Sequence, residues 1–142
     1  MAATAAEKEI KQAIEARNAA LSAKDVAGVM ASGYAGFVAY TLAPPLRSTG
    51  GKTGLEQWFA TWDGPIGFAL KDLKITCDGD VGFASCLAHM TGRKTDGEDI
   101  DLWHRMTFGL KRVRGAWKIV HEHSSVPFLM DGSYRAAVDL KP

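Results

Sequence analysis

Trp117-Lys118-Ile119-Val120-His121-Glu122-His123-Ser124-Ser125-Val126-Pro127 reads as a β-strand. β-Branched and aromatic residues enter after an Arg114-Gly115 turn, and a proline stops the ladder near its end. Side chains alternate along a strand, so Trp117, Ile119, His121 and His123 share one face and Lys118, Val120, Glu122 and Ser124 the other. Three groups that can titrate or pair thus stand side by side midway along one element: His121, Glu122 and His123. The apolar Trp117 and Ile119 argue that the histidine face points inward.

Working outward, the preceding residues read as hairpins. Asp78-Gly79, Asp96-Gly97 and Arg114-Gly115 punctuate strand-like runs at about 66–77, 81–94, 99–112 and 116–125, the Asp-Gly pairs being the better turn signals. In the first run Phe68 and Leu70 have one parity, Leu73 and Ile75 the other, which implies a bulge and a bent sheet. Upstream the period changes. Thr4 and Glu7 form a capping box before Ile10, Ala13, Ile14 and Leu21, an amphipathic helix over 5–23. Arg17 falls on or beside that stripe, either snorkelling at its edge or aimed into a cavity. Asp25 caps a short helix ended by Gly33, Phe37 to Leu42 reads as a strand, and Ala43 to Gly51 as a loop. A third helix carries Leu55, Trp58, Phe59 and Trp62 on one face, with a capping box at Thr53 and Glu56 and a stop at Gly64-Pro65. Helices first and an antiparallel sheet afterwards make an α+β domain. We read 1–142 as one domain, with 129–142 a tail or edge cover.

At 142 residues the chain can bury a core without disulfides or metal. A net charge of +1 leaves no electrostatic footprint for nucleic acid or an anionic membrane. No apolar run approaches the roughly 18 residues of a membrane span, and no signal peptide is read at the start. Cys77 and Cys86 are out of register across their turn, so two free thiols in a reducing cytoplasm are expected.

The three helices, the bent sheet, the phrase Trp62-Asp63-Gly64-Pro65-Ile66 and the ending Trp117 to Pro127 resemble the SnoaL-like, ketosteroid-isomerase-like branch of the nuclear transport factor 2-like superfamily, over about residues 5–128. The resemblance implies a cone-shaped, strongly bent sheet around a pocket closed by three N-terminal helices, and a homodimer formed through the outer sheet face. Its members include isomerases, cyclases, dehydratases and binding domains without chemistry. In the isomerases a carboxylate abstracts a proton beside a carbonyl, while a tyrosine and a protonated aspartic acid hold the enolate oxygen. Matched by position, the base falls at Tyr40 or Thr41, the tyrosine at Arg17 and the acid at Thr107. None of the three is kept.

Other groups must then supply any acid–base chemistry. The match makes the Thr107 face of its strand the pocket face, placing Arg105 inside the cone and turning Glu122 inward. That conflicts with the inward histidine face argued from Trp117 and Ile119, and a bulge in the strand could satisfy both. Glu122 with Arg105 is the leading catalytic pair, ahead of His121 and His123. Tyr40, Trp58, Trp62, Trp103, Thr107 and Arg17 are the candidate ligand-binding residues. His104, among apolar neighbours, reads as a satisfied core or interface histidine. Histidines 121 and 123 with His89 or Asp101 could hold a metal, but spacing fixes no third ligand, so no metal and no cofactor is assigned. The expected function is binding of a small molecule in the cone, with isomerase or lyase chemistry on a carbonyl or hydroxylated compound. The alternative is a non-catalytic ligand-binding or dimerisation module.

Overall fold

Helix α1 (Ala5–Ser22) starts where its cap predicts, the Thr4 hydroxyl accepting from the Glu7 N–H at 3.1 Å in the computed structural model, which describes residues 2–142. Ile10, Ile14, Arg17, Asn18 and Leu21 are its buried side, a stripe at helical spacing with two polar residues inside it. Asp25 caps α2 (Val26–Ser32) through the Gly28 N–H. Helix α3 (Lys52–Phe59) departs from expectation at both ends. Its N-cap is Gly51, two residues before the expected Thr53, with no side-chain cap bond, and Glu56 pairs with Lys52 instead of closing a capping box. It ends at Phe59, so Trp62 and Gly64-Pro65 belong to the next strand.

Five strands follow one order, β1-β5-β4-β3-β2: β1 (Gly33–Tyr40), β2 (Trp62–Asp78), β3 (Val81–Lys94), β4 (Asp99–Val113) and β5 (Ala116–Ser125). All pairs are antiparallel except β1 with β5, which is parallel. The sheet is strongly curved and its two edges do not meet. The bulge read from the parity of β2 is present: its register with β3 slips between Lys71 and Lys74, where Asp72 takes φ +58°. Phe68, Leu70, Leu73 and Ile75 consequently all pack on the core despite their opposite parity.

One core cluster joins Ile10 and Ile14 to Ala84, Cys86, Ala88, Met106, Phe108, Leu110, Trp117 and Ile119 beneath α1. A second gathers Leu21, Phe59, Trp62 and Ile66 where α2 and α3 meet the sheet. Here Gly92 is required: at φ +151° a Cβ would stand 2.8 Å from the Trp62 ring. Each buried Phe, Ile or Leu contributes roughly 1.5–3 kcal/mol, enough to decide which face of a strand turns inward.

That preference corrects one reading. On β4 the inward set is His104, Met106, Phe108 and Leu110, and Arg105 and Thr107 are exposed on the outer face. The family match had put the Thr107 face inside; three apolar side chains on the opposite parity outweigh it. On β5 the conflict resolves through a bulge. Gly109 faces His121 and Leu110 faces Ile119, leaving Val120 as the extra residue. Trp117 and Ile119 point inward, and beyond Val120 the parity flips, so Glu122 shares the inner face with its partner Phe108 while His121 and His123 turn outward.

The last residues fold back on the body. Phe128 bridges Ala136, the Ala137 N–H donates to the Pro127 carbonyl at 2.8 Å, and Ala137 is buried. Val138 to Lys141 then border a cleft with Asp101 and Trp103 on the outer face.

Candidate functional site in the sheet interior

Arg17 reaches the interior because it lies on the buried stripe of α1, and Glu122 because the β5 bulge turns it there. The two form an ion pair, Arg17 Nη2 donating to Glu122 Oε2, with side chains only 9% and 14% exposed. Nη1 donates to Asn18 Oδ1 at 2.9 Å, and the guanidinium lies 5.5 Å from the Phe108 ring centroid. A buried charge persists where it is paired and its remaining donors are engaged; Glu122, Asn18 and the Phe108 ring do this for Arg17.

Two further groups complete the polar interior. His104 is 3% exposed, and burial together with the nearby Arg17 charge lowers its pKa below the ordinary histidine value. Its ring stands edge-on to Phe68, 5.9 Å between centroids, and its Nδ1 is buried without a partner among the described residues, as are Trp62 Nε1 and Trp117 Nε1. Burial pushes the Cys86 thiol up to about 11 against the smaller opposing pull of Arg17, so it is a neutral packing group here.

From outside, a groove of about 520 Å³ runs between α1 and β2, lined by Lys11, Glu15, Asn18, Ala19, Ser22, Phe68, Leu70 and Leu73. Two of these residues also belong to the interior: Asn18 holds Arg17, and Phe68 touches His104. The groove therefore has an apolar floor of Phe68, Leu70 and Leu73 and a polar rim of Lys11, Glu15 and Ser22.

The other sequence-derived candidates lie elsewhere. Arg105 donates to Ser125 at 3.1 Å on the outer face, not to Glu122; the Glu122–Arg105 pairing is replaced by Glu122–Arg17. Trp103 stacks on His89 at 4.4 Å, and His89 Nε2 lies 2.5 Å from Asp101 Oδ1. Tyr40 stands edge-on to His121 and His123, at 4.9 and 5.3 Å, and His121 Nδ1 lies 2.7 Å from the Val38 carbonyl oxygen. Trp58 and Trp62 belong to the second core cluster, with the Lys94 ammonium 4.0 Å from the Trp62 ring centroid. The sequence reading missed Asn18, Phe68 and the exposed side of α1, and took His104 as satisfied. The signals were present: Asn18 lies four residues from Ile14, and His104 shares the parity of Met106 and Phe108.

A bent α+β sheet with α1 across its inner face, and polar groups on that face, defines a class of α+β domains. The SnoaL-like domain profile matches residues 10–129, and the chain belongs to that family. Among solved structures it is similar to an NTF2-like protein of unknown function from Pseudomonas putida, with 32% identity, 99% of each chain covered and a TM-score of 0.86. Two more distant likenesses show the fold alone. One is a proposed ketosteroid isomerase from Shewanella frigidimarina, with 24% identity, 80% of this chain and 92% of that one covered, and a TM-score of 0.67. The other is the association domain of C. elegans CaMKII, with 15% identity, 85% and 95% covered, and a TM-score of 0.67. No curated protein matches the sequence.

Proposed function

We propose that this SnoaL-like chain binds a small, mostly apolar molecule in the interior reached from the α1–β2 groove, and performs isomerase or lyase chemistry on a carbonyl or hydroxylated compound. The observation that carries the reading is the buried Arg17–Glu122 pair, an acid and a guanidinium inside a sheet whose remaining inner face is almost wholly apolar. In this reading Glu122 moves the proton and Arg17 holds the negative charge that develops on the substrate oxygen, each in a site where few other groups compete. Arg17 takes the part the sequence reading gave to Arg105.

Proton exchange tests it with 2-tetralone, an apolar ketone with acidic α-protons. Deuterium incorporation from solvent is expected with the wild type and lost in Glu122→Gln. Removing one partner of a buried pair costs about 3–5 kcal/mol, whereas replacing both with apolar residues is often neutral. Arg17→Met/Glu122→Leu is therefore the folded control, and it should be equally inactive. Full exchange by a folded Glu122→Gln would remove Glu122 from the mechanism. Binding without exchange by the wild type would favour the non-catalytic reading, which the loss of the family's own carboxylates already supports.

The association-domain likeness and the exposed Tyr40, Val81 and Phe83 side chains support a homodimer formed through the outer face. The free thiols Cys77 and Cys86 support a reducing cytoplasm. No described helix is long and apolar enough to cross a membrane.

A further inference from the structure

The chain has four histidines. His89 is held by Asp101 and stacked on Trp103, His121 is bonded to the Val38 carbonyl, and His123 is exposed beside Tyr40. His104 differs: it is 3% exposed and its Nδ1 has no partner among the described residues. Native interiors rarely leave such an atom unpaired, because the unmet hydrogen bond costs as much as the group's desolvation. An atom of this kind is what a ligand would complete.

Resting on the binding reading above, we propose that His104 also hydrogen-bonds the ligand, sharing its oxygen with Arg17, and that the ligand is uncharged, an apolar body carrying one carbonyl or hydroxyl that reaches Nδ1 past Phe68. A neutral imidazole offers either a donor or an acceptor at Nδ1 according to tautomer, so it can serve a carbonyl or a hydroxyl. Phe68 forms part of the groove floor and its ring meets His104 edge-on, so this one side chain touches both the groove and the histidine. The charge arrangement selects against ions. Arg17 and Glu122 already neutralise each other inside, and Lys11 and Glu15 balance at the groove rim. A cation entering would meet Arg17, and an anion would compete with Glu122 for it. Either leaves one buried charge without a partner.

The test uses the full chain with 15N-labelled histidine and four probes of matched size: 2-tetralone, 2-naphthol, 2-naphthoate and 2-naphthylmethylammonium. Long-range 15N–1H spectra should show a neutral His104 whose ring nitrogens shift on adding the first two. Those two should bind at least tenfold more tightly than the charged pair by calorimetry. His104→Phe should fold with Tm no lower than wild type, since it removes an unpaired polar atom, yet lose about tenfold in affinity for the neutral probes, as one hydrogen bond predicts. A merely structural histidine would give the reverse, lower Tm and unchanged affinity. Neutral probes that bind while the His104 nitrogens stay unmoved would overturn this proposal and leave the binding reading standing. Preference for a charged probe would overturn the ligand class. Failure of all four to bind would overturn both readings. The wild-type spectra decide the matter even if the variant does not fold.

Discussion

The polar residues inside this sheet sit within a few side chains of each other and constrain one another's charge. Arg17 is neutralised by Glu122, yet its field still bears on His104, whose pKa is depressed first by burial and then by that guanidinium. The consequence for stability has a definite sign. A histidine whose folded pKa lies below its unfolded value binds its proton first in the unfolded chain, so its penalty is absent above about pH 6.5. The penalty grows as the pH falls toward the folded value, by up to about 1.4 kcal/mol per unit. Urea midpoints at pH 7.5 and 5.5 should therefore fall further for wild type than for His104→Phe. The other ionisable groups are common to both proteins, and their contributions largely cancel in the difference. Equal losses would mean that His104 accepts its proton as readily folded as unfolded. Sequence parity located this residue beside Met106 and Phe108, but no pattern in a sequence reports that a ring nitrogen lacks a partner. That fact emerges only when α1, β3 and β4 are packed together.

Element by element, turns and alternation carried most of the information. Asp78-Gly79, Asp96-Gly97 and Arg114-Gly115 all turn the chain where expected, and Arg114 and Gly115 both take positive φ, +52° and +80°, as a two-residue hairpin demands. The parallel pairing of β1 with β5 was not legible, because a contact between residues about 83 apart leaves no local trace. The β5 face was ambiguous for a physical reason: one extra residue reverses every later side chain, and Val120 is indistinguishable by type from an ordinary strand residue. The bulge makes an uncommon prediction. Deleting Val120 restores plain alternation, with Ile119 and Glu122 both inward and His121 outward, so the Arg17–Glu122 pair survives. Deleting Ser85 from the regular strand β3 instead forces Ala84 and Cys86 onto opposite faces. The first variant should keep a cooperative unfolding transition by circular dichroism, and the second should not. Loss of folding in both would mean that the extra residue supplies a bend the sheet cannot do without.

For the whole molecule, the two faces of the sheet have different fates. The inner face is covered by α1 and by the cluster around Trp62, and it holds Arg17, Glu122 and His104. The outer face leaves Val81 and Phe83 57% and 53% exposed, with Tyr40 beside the β1 edge. Phe83 lies opposite Gly109, which offers no side chain to cover it on that flank, and opposite Thr76 on the other, so the phenyl ring stays half exposed. Apolar area left this way is stabilised when a second copy removes it from water, at roughly 25 cal/mol per Å². A charge placed there would have to be buried unpaired twice across a two-fold interface. Light scattering at micromolar concentration should therefore give a dimer for wild type and a monomer for Phe83→Glu. The monomer's circular dichroism should match the parent, because Phe83 is already half in solvent within one chain. A monomeric wild type would leave the outer face without this role. A dimer in Phe83→Glu would move the interface to another surface, with the C-terminal fold-back over Asp101 and Trp103 the next to examine by substitution. Because the Arg17–Glu122 pair lies on the opposite side of the sheet, the Phe83→Glu monomer should also bind 2-tetralone with the affinity of the dimer, which separates assembly from the chemistry of the interior.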